Sequence, residues 1–178
     1  MNYPDDPIYT KNVIEMLTVA NDFCLFIESA ESTENENIIN YLQKVLPLLY
    51  LKGSLLNKVV VDDESANERF VIEEQWKNVF DVFKKKFEIY NVFFYVDEPF
   101  TDSELVIEGN LAEDIADIYQ DLKDFLLLYQ KTLYTAKQNA INSCRVLFYE
   151  RWGIKSIRVL GRIHSILKPE SESNLQIY

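Results

Sequence analysis

The amino-acid sequence predicts an all-α fold, a single-domain bundle of about six helices. Apolar residues recur at helical spacing along most of the chain, and 4 Gly and 5 Pro among 178 residues are too few for a turn-rich β-sandwich. Hydrophobic residues make up 48% of the chain, including 11 Tyr and 11 Phe, which is enough for one sizeable core. We expect the domain to cover residues 1–168 and residues 169–178 to form a polar C-terminal tail.

The first two helices are predicted from their capping residues. Asp6 followed by Pro7 is typical of a helix start, and the apolar spacing then continues to about residue 30. Thr33 and Glu36 have the spacing of a capping box, which opens the second helix. Pro47 lies inside the second apolar pattern and predicts a kink or a break there.

An aromatic stripe marks the third helix, expected over residues 73–87. Its members follow the spacing i, i+4, i+7, i+11 and i+14 on one helix face: Trp76, Phe80, Phe83, Phe87 and Tyr90. Such a stripe is most simply part of the core, and any exposed part of it would form a groove for a partner or ligand. The next stretch, residues 88–100, fits either a short strand or an ordered loop.

The last three helices are predicted over residues 110–129, 135–152 and 154–167. Gly109 precedes the first of them, and Gly153 has the position of a C-terminal stop between the other two. The helix over 110–129 is apolar nearly all round in its C-terminal half, so it should be central in the bundle. Its buried seam should comprise Leu111, Ile115, Ile118, Leu122, Phe125, Leu126 and Tyr129.

The overall charge narrows the function classes. The formal net charge is −11, so the surface repels nucleic-acid phosphates at long range and general nucleic-acid binding is not expected. The N-terminal segment has neither a basic n-region nor an apolar h-region, and no apolar run is long enough to span a bilayer. We therefore expect a cytoplasmic protein with no membrane partner.

A row of carboxylates on the helix over 110–129 is the first candidate site. Asp114, Asp117 and Asp121 lie at i, i+3 and i+7, which places them on one side of the helix. Such a row could hold Mg²⁺ or Mn²⁺, since both cations prefer oxygen ligands. The segment EDIAD is similar to the second acidic motif of the all-alpha nucleotide pyrophosphohydrolases, the MazG-like enzymes. The partner ExxE motif is represented only by Glu28–Glu31, some 80 residues upstream.

A basic stripe on the last helix offers the carboxylates a different role. Its members lie at i, i+4, i+7 and i+11: Arg151, Lys155, Arg158 and Arg162. Residues 1–144 carry a net charge of −14, whereas residues 145–178 carry +3. The acidic row and the basic stripe therefore have the charges to pair with each other and fix the register of two helices. We favour this interpretation over a metal site.

Few residues are suited to other catalytic chemistry. His164 is the only histidine, and its position off the basic stripe favours a capping or packing role. Cys24 and Cys144 are 120 residues apart, which fits two buried free thiols in a reducing cytosol. Four scattered glycines exclude a P-loop or a dinucleotide fingerprint.

Five stretches taken together resemble one bacterial domain-of-unknown-function family, number 5063, common in Bacteroides-like bacteria. They are NVIEMLTVANDFCLFIE, VLPLLYLKGSLL, NLAEDIADIYQDLKDFLLLY, SCRVLFYERWG and VLGRIH, in order from about Asn12 to His164. The resemblance implies a helical fold and a protein partner acting in nucleic-acid metabolism, but no mechanism. With Arg158 added, its polar and aromatic markers are the candidates for a shared site or buried network: Asp117, Tyr119, Asp121, Asp124, Arg145, Trp152, Arg162 and His164.

These observations lead to two functional hypotheses. The favoured one is a non-catalytic helical module that presents an acidic surface to a protein partner and needs no cofactor. The alternative is a nucleotide phosphohydrolase that depends on Mg²⁺ or Mn²⁺, with Asp114, Asp117 and Asp121 as metal ligands and Arg or Lys side chains as phosphate clamps.

Overall fold

The computed structural model of the protein describes residues 6–97 and 105–167. The described residues form six α-helices and a small two-stranded sheet, which confirms the predominantly all-α fold. None of these helices is long and apolar enough to cross a membrane. The polar tail expected over residues 169–178 lies outside the described residues. The helices are α1 (Lys11–Ser29), α2 (Asn35–Ser54), α3 (Glu73–Phe87), α4 (Leu111–Tyr129), α5 (Tyr134–Leu147) and α6 (Gly153–Leu167).

Helix α4 is the centre of the bundle, as its sequence predicts. It packs against α1, α3, α5 and α6. Every residue of its predicted seam is buried, and Glu113 alone among its residues is exposed. A helix surrounded in this way fixes where its few polar side chains can find partners.

The start of α1 differs from the prediction. Asp6 caps a short 3₁₀ turn, Pro7–Tyr9, rather than the helix itself. Helix α1 begins after Thr10, whose hydroxyl accepts a hydrogen bond from the backbone N–H of Val13. Two successive caps therefore replace the single one expected.

The start of α2 also differs, because the predicted capping box does not form. The hydroxyl of Thr33 donates to the carbonyl of Ser29 at 3.1 Å, and Glu34 takes the N-cap position. The predicted break at Pro47 is absent as well, since α2 continues to Ser54. Buried side chains on both sides of Pro47, among them Leu46, hold the helix in the core despite the missing backbone donor.

The segment after α3 contains a strand. A 3₁₀ turn, Glu88–Tyr90, comes first, residues 92–97 then form the strand, and residues 98–100 lie outside the described residues. Strand β1 (Val92–Asp97) pairs antiparallel with β2 (Leu105–Asn110), a strand that the sequence analysis did not predict. Asn91 anchors the base of this hairpin, because its carbonyl and side-chain oxygens accept hydrogen bonds from the first two N–H groups of α4 at 2.8 and 2.9 Å. The guanidinium of Arg158 lies 3.9 Å from the ring centroid of Tyr95 and connects the hairpin to α6.

The joint between α5 and α6 is continuous, so the predicted stop at Gly153 is wrong. A π-helical turn, Phe148–Trp152, links the two helices, and Gly153 itself has right-handed helical angles (φ −64°, ψ −51°). A Cβ on Gly153 would meet the carbonyl oxygen of Phe148, so the glycine serves close packing rather than termination. Trp152 is completely buried and donates a hydrogen bond to the carbonyl of Cys144 at 3.0 Å.

Candidate functional site

The acidic row of α4 faces the N-terminal half of α6 and the π-helical turn before it. Lys155 reaches between two of its carboxylates, with Nζ 2.9 Å from Oδ1 of Asp114 and 2.7 Å from Oδ2 of Asp117. The Lys155 side chain is only 16% exposed, so this bridge is largely shielded from water. Asp114 and Asp117 therefore share one ammonium group as their counter-ion.

The third carboxylate has its own cation. Arg151 donates from Nε to Oδ2 of Asp121 at 2.7 Å and from Nη2 to Oδ1, a bidentate pair. Arg69, from the connection between α2 and α3, approaches the same carboxylate at 3.9 Å. We call the set of Asp114, Asp117, Asp121, Arg151 and Lys155 the acid–base seam.

An indole extends the seam to α3. Nε1 of Trp76 donates to Oδ1 of Asp117 at 2.7 Å, so this carboxylate is bound from two neighbouring helices. Other members of the aromatic stripe differ in burial. Phe83 and Phe87 are buried in the core, whereas Tyr90 is 46% exposed. The stripe is therefore structural along most of its length.

Asp124 lies one turn beyond the seam and organises the chain before α3. Its Oδ1 accepts hydrogen bonds from the backbone N–H groups of Phe70 and Val71 at 2.7 and 2.8 Å. Its Oδ2 has no hydrogen-bond partner among the described residues, and Nη1 of Arg69 is 4.0 Å away. The side chain is thus fixed in orientation by one oxygen only.

Burial and ion pairing act in opposite directions in the seam. Burial raises the pKa of Asp114 more than Lys155 lowers it, and burial likewise raises the pKa of Asp121 more than Arg151 lowers it. Burial disfavours the charge of Lys155, but the two carboxylates outweigh it and raise the pKa of that ammonium. The hydrogen bond to Asp121 raises the pKa of Arg151.

Several other residues of the predicted network lie outside the acid–base seam. Arg162 donates to the carbonyls of Tyr90 and Val92 at 3.1 and 3.4 Å, so it supports the hairpin, as Arg158 does through its ring contact. His164 is exposed and does not pack in the core. The basic stripe is thus divided, with two members in the seam and two at the hairpin.

Tyr119 and Arg145 also lie apart from the seam. The hydroxyl of Tyr119 donates to Oε1 of Glu28 at 2.8 Å, and Lys123 pairs with the same oxygen at 2.6 Å. The guanidinium of Arg145 lies 5.2 Å from the ring centroid of Tyr149. Because Tyr119 and Lys123 project from a different side of α4 than the acidic row, Glu28 does not complete a four-carboxylate site.

The metal interpretation stays a prediction. Within residues 6–97 and 105–167 no group of three or more His, Cys, Asp or Glu side chains has the arrangement of a metal site. Each carboxylate of the row already contacts a Lys or Arg nitrogen, which a metal would have to displace.

Two contributors to the site were missed by the sequence analysis. The aromatic stripe predicts a core position for Trp76. A buried indole N–H generally needs an acceptor, and this requirement is the signal in the sequence for its contact with the acidic row. Arg69 lies in a polar connection, and nothing in its sequence context indicates that it reaches the end of the acidic row.

The regions that match known proteins include the whole candidate site. A family model described as a domain of unknown function (DUF5063) matches residues 7–168. The chain is similar to protein BF1032 from Bacteroides fragilis, a structural genomics target with a crystal structure, at a TM-score of 0.82 and 32% sequence identity over 96% of this chain and 100% of that chain. No curated protein matches the chain. The matched region includes every residue of the acid–base seam.

Proposed function

We propose that this chain, which belongs to the DUF5063 family, is a non-catalytic interaction module whose β-hairpin docks a basic protein partner. The observation that carries the proposal is the exposed face of the hairpin. Phe94 is 67% exposed and Val106 is 63% exposed, and the strand register places Val96 directly opposite Val106 on the same face. Exposed aromatic and branched side chains grouped on one sheet face are typical of an interface.

The charge of the hairpin segment defines the partner. Residues 88–108 contain six acidic and no basic residues, so the apolar face lies on a segment of net charge −6. A complementary surface would offer an apolar pocket bordered by Lys and Arg side chains. Proteins acting in nucleic-acid metabolism commonly carry such basic surfaces, which agrees with the partner class that the family resemblance implies.

The seam supports a structural rather than a catalytic role for the acidic row. Its carboxylates are bound by Lys155 and Arg151, and Trp76 holds one of them from a third element. A carboxylate used this way sets helix register and places the hairpin on α6, so the seam would serve the docking face indirectly.

The experiment is affinity capture from the native cell extract followed by titration with the purified partner. The hairpin variant Phe94→Ser/Val106→Ser is compared with Leu25→Ser/Val60→Ser. The control side chains are also more than half exposed but lie on α1 and the connection after α2. We expect the wild type and the control to retain one basic protein, and the hairpin variant to bind it at least tenfold more weakly. Raising the salt concentration should weaken the complex.

Two outcomes would overturn the proposal. One is retention that does not differ between the hairpin variant and the wild type, including retention of nothing at all. The other is a wild-type dimer in light scattering that the hairpin variant converts to a monomer, since the docking face would then belong to a second copy of the chain.

A further inference from the structure

A cavity beside Asp124 has the features of a small-molecule site. It has a volume of about 260 Å³ and lies between α4, α5 and the connection that precedes α3. Phe125, Leu128 and Leu147 supply apolar walls. The charged side chains of the lining are Glu68, Arg69, Asp121 and Asp124. Small-molecule sites are commonly apolar cavities with a few fixed polar groups. This volume lies just below their usual range, which starts at about 300 Å³, and therefore suits a very small ligand.

Asp124 is the fixed polar group of this cavity. The residue is 8% exposed, and the two backbone N–H groups on Oδ1 hold its carboxylate in one orientation. The Oδ2 atom is buried without a hydrogen-bond partner among the described residues. A carboxylate oxygen left in this state is a strong acceptor for a donor that enters the cavity.

The charges around the cavity select a cation. Two of the three carboxylates have a closer counter-ion: Asp121 is bound by Arg151 in a bidentate pair, and Glu68 pairs with Lys131 at 3.4 Å. Asp124 is therefore the carboxylate left to be neutralised. Arg69 stands 4.0 Å from its Oδ2, beyond hydrogen-bond distance, and the Arg69 side chain is 55% exposed. It is therefore a loose counter-ion that a better-placed donor can displace.

From these contacts we propose that the cavity binds a small organic cation with an ammonium or guanidinium head and a compact apolar body. The head donates to Oδ2 of Asp124 in place of Arg69, and the body lies against Phe125, Leu128 and Leu147. This site is separate from the hairpin and shares one residue, Asp121, with the acid–base seam.

The test is titration of the full chain with benzylamine and phenylguanidine, followed by backbone-amide NMR, with benzyl alcohol as the neutral counterpart. Both cations should shift the resonances of residues around the cavity, and benzyl alcohol should bind at least tenfold more weakly. Asp124→Asn keeps the Oδ1 acceptor for Phe70 and Val71 but removes the charge, so it should weaken cation binding at least tenfold. Equal binding of cation and alcohol would overturn the proposal. So would the absence of binding of either cation at concentrations up to about 10 mM, which is on the order of the dissociation constants of the weakest fragments.

A second variant moves the affinity in the opposite direction. Arg69→Ala removes the competing guanidinium and should tighten the binding of benzylamine several-fold, whereas Lys77→Ala, an exposed lysine on α3 that does not line the cavity, should leave it unchanged. Ser143→Leu places an apolar side chain on the cavity wall from a half-buried position of α5 and should abolish binding in a folded protein. Weaker binding in Arg69→Ala, or undiminished binding in Ser143→Leu, would contradict the assignment.

Discussion

At the scale of one residue, Lys155 explains how the acidic row can be buried. Its ammonium contacts Asp114 and Asp117 together, and all three side chains are mostly buried. Removing charges from water costs several kcal/mol for each ion, and a buried pair recovers this cost only when its geometry is good. The bridge therefore contributes less to net stability than to the relative placement of α4 and α6.

Substitution of Lys155 should show how far the two buried carboxylates depend on its ammonium group. Lys155→Met keeps most of the side-chain volume but leaves two buried carboxylates without their ammonium, so we expect the free energy of unfolding to fall by about 3 kcal/mol. The measurement is urea unfolding followed by circular dichroism. Lys77→Met, which breaks an exposed i, i+4 pair with Asp81, is the matched control and should cost less than about 0.5 kcal/mol. Similar losses in the two variants would mean that the seam is no stronger than a surface pair.

The raised pKa of Asp114 gives a second prediction at this scale. Because burial lifts the native pKa above the ordinary value of 3.8, the folded state holds this proton more tightly than the unfolded state. The contribution of Asp114 to stability is therefore greatest below pH 3.8 and declines as the pH rises through the native pKa. Asn at this position stays neutral, so the wild type should lose free energy of unfolding relative to Asp114→Asn as the pH rises across that range.

Unfolding of both proteins at a series of pH values measures the difference directly. If Asp114→Asn loses stability relative to the wild type as the pH rises, the ammonium of Lys155 outweighs burial, and the native pKa of Asp114 is depressed instead.

The pairing of the row with basic residues was predictable, but the individual pairs were not. Helical spacing alone places Asp114, Asp117 and Asp121 on one face and the basic residues on another. Which cation meets which carboxylate depends on the π-helical turn, which shifts Arg151 relative to α6 and has no signature in the sequence. Arg158 and Arg162 therefore bind the hairpin, although their spacing continues the same stripe.

At the scale of the helices, the two glycines of α6 have different roles. Gly153 lies at the π-helical turn, where a Cβ would meet the carbonyl of Phe148 and come within 3.0 Å of its ring. Gly161 has no neighbouring atom within 4 Å of such a Cβ. The first glycine permits close packing of the joint, and the second only lowers helix propensity.

Alanine substitutions should separate these roles. We expect Gly153→Ala to lower the free energy of unfolding by about 2 kcal/mol, because the backbone of the turn has to shift. Gly161→Ala should raise it by about 0.5–1 kcal/mol through helix propensity alone. Thermal and urea unfolding of the two variants provide the comparison. A gain in Gly153→Ala would show that the turn relaxes without cost.

A helix or strand was predictable where many residues repeat one hydrophobic pattern. The prediction was uncertain where a few residues determine the cap or the type of element. Helix α3 has the predicted bounds because its aromatic stripe runs along its whole length. The capping box at Thr33 failed because the chain makes a 3₁₀ turn first and uses the hydroxyl to satisfy the end of α1. Strand β2 was missed because six residues with one Gly and one Asn give too short an alternation to be distinguished from a loop.

At the scale of the whole molecule, charge is unevenly distributed. The net charge of −11 combines a strongly acidic region up to residue 144 with a basic C-terminal region, and the seam joins the two. A molecule with this distribution gains from neutralising its acidic face with a partner, a cation or its own basic helix. The structure uses its own basic helix at α4, whereas residues 88–108 contain no basic residue of their own.

Addition of a divalent metal tests the phosphohydrolase alternative at this scale. A metal ion at 100 times its dissociation constant adds about 2.7 kcal/mol, or roughly 5–10 °C in melting temperature for a domain of this size. We expect millimolar Mn²⁺ or Mg²⁺ to leave the melting temperature of the wild type unchanged. Asp117→Asn/Asp121→Asn should melt about 5–10 °C lower with or without metal, because it removes charges from the seam. A metal-induced rise in the wild type that the double variant lacks would instead identify a metal site.

The central position of α4 has a further consequence for the exchange of its backbone amide hydrogens. Its helix neighbours cover it on nearly all sides, so its N–H groups can reach water only when α1, α3, α5 and α6 separate from it. Their exchange rates should therefore report global opening, whereas the amides of the hairpin should exchange through local fraying. A ligand that contacts the hairpin would slow exchange there directly, and exchange in α4 would slow only by the amount that binding adds to global stability.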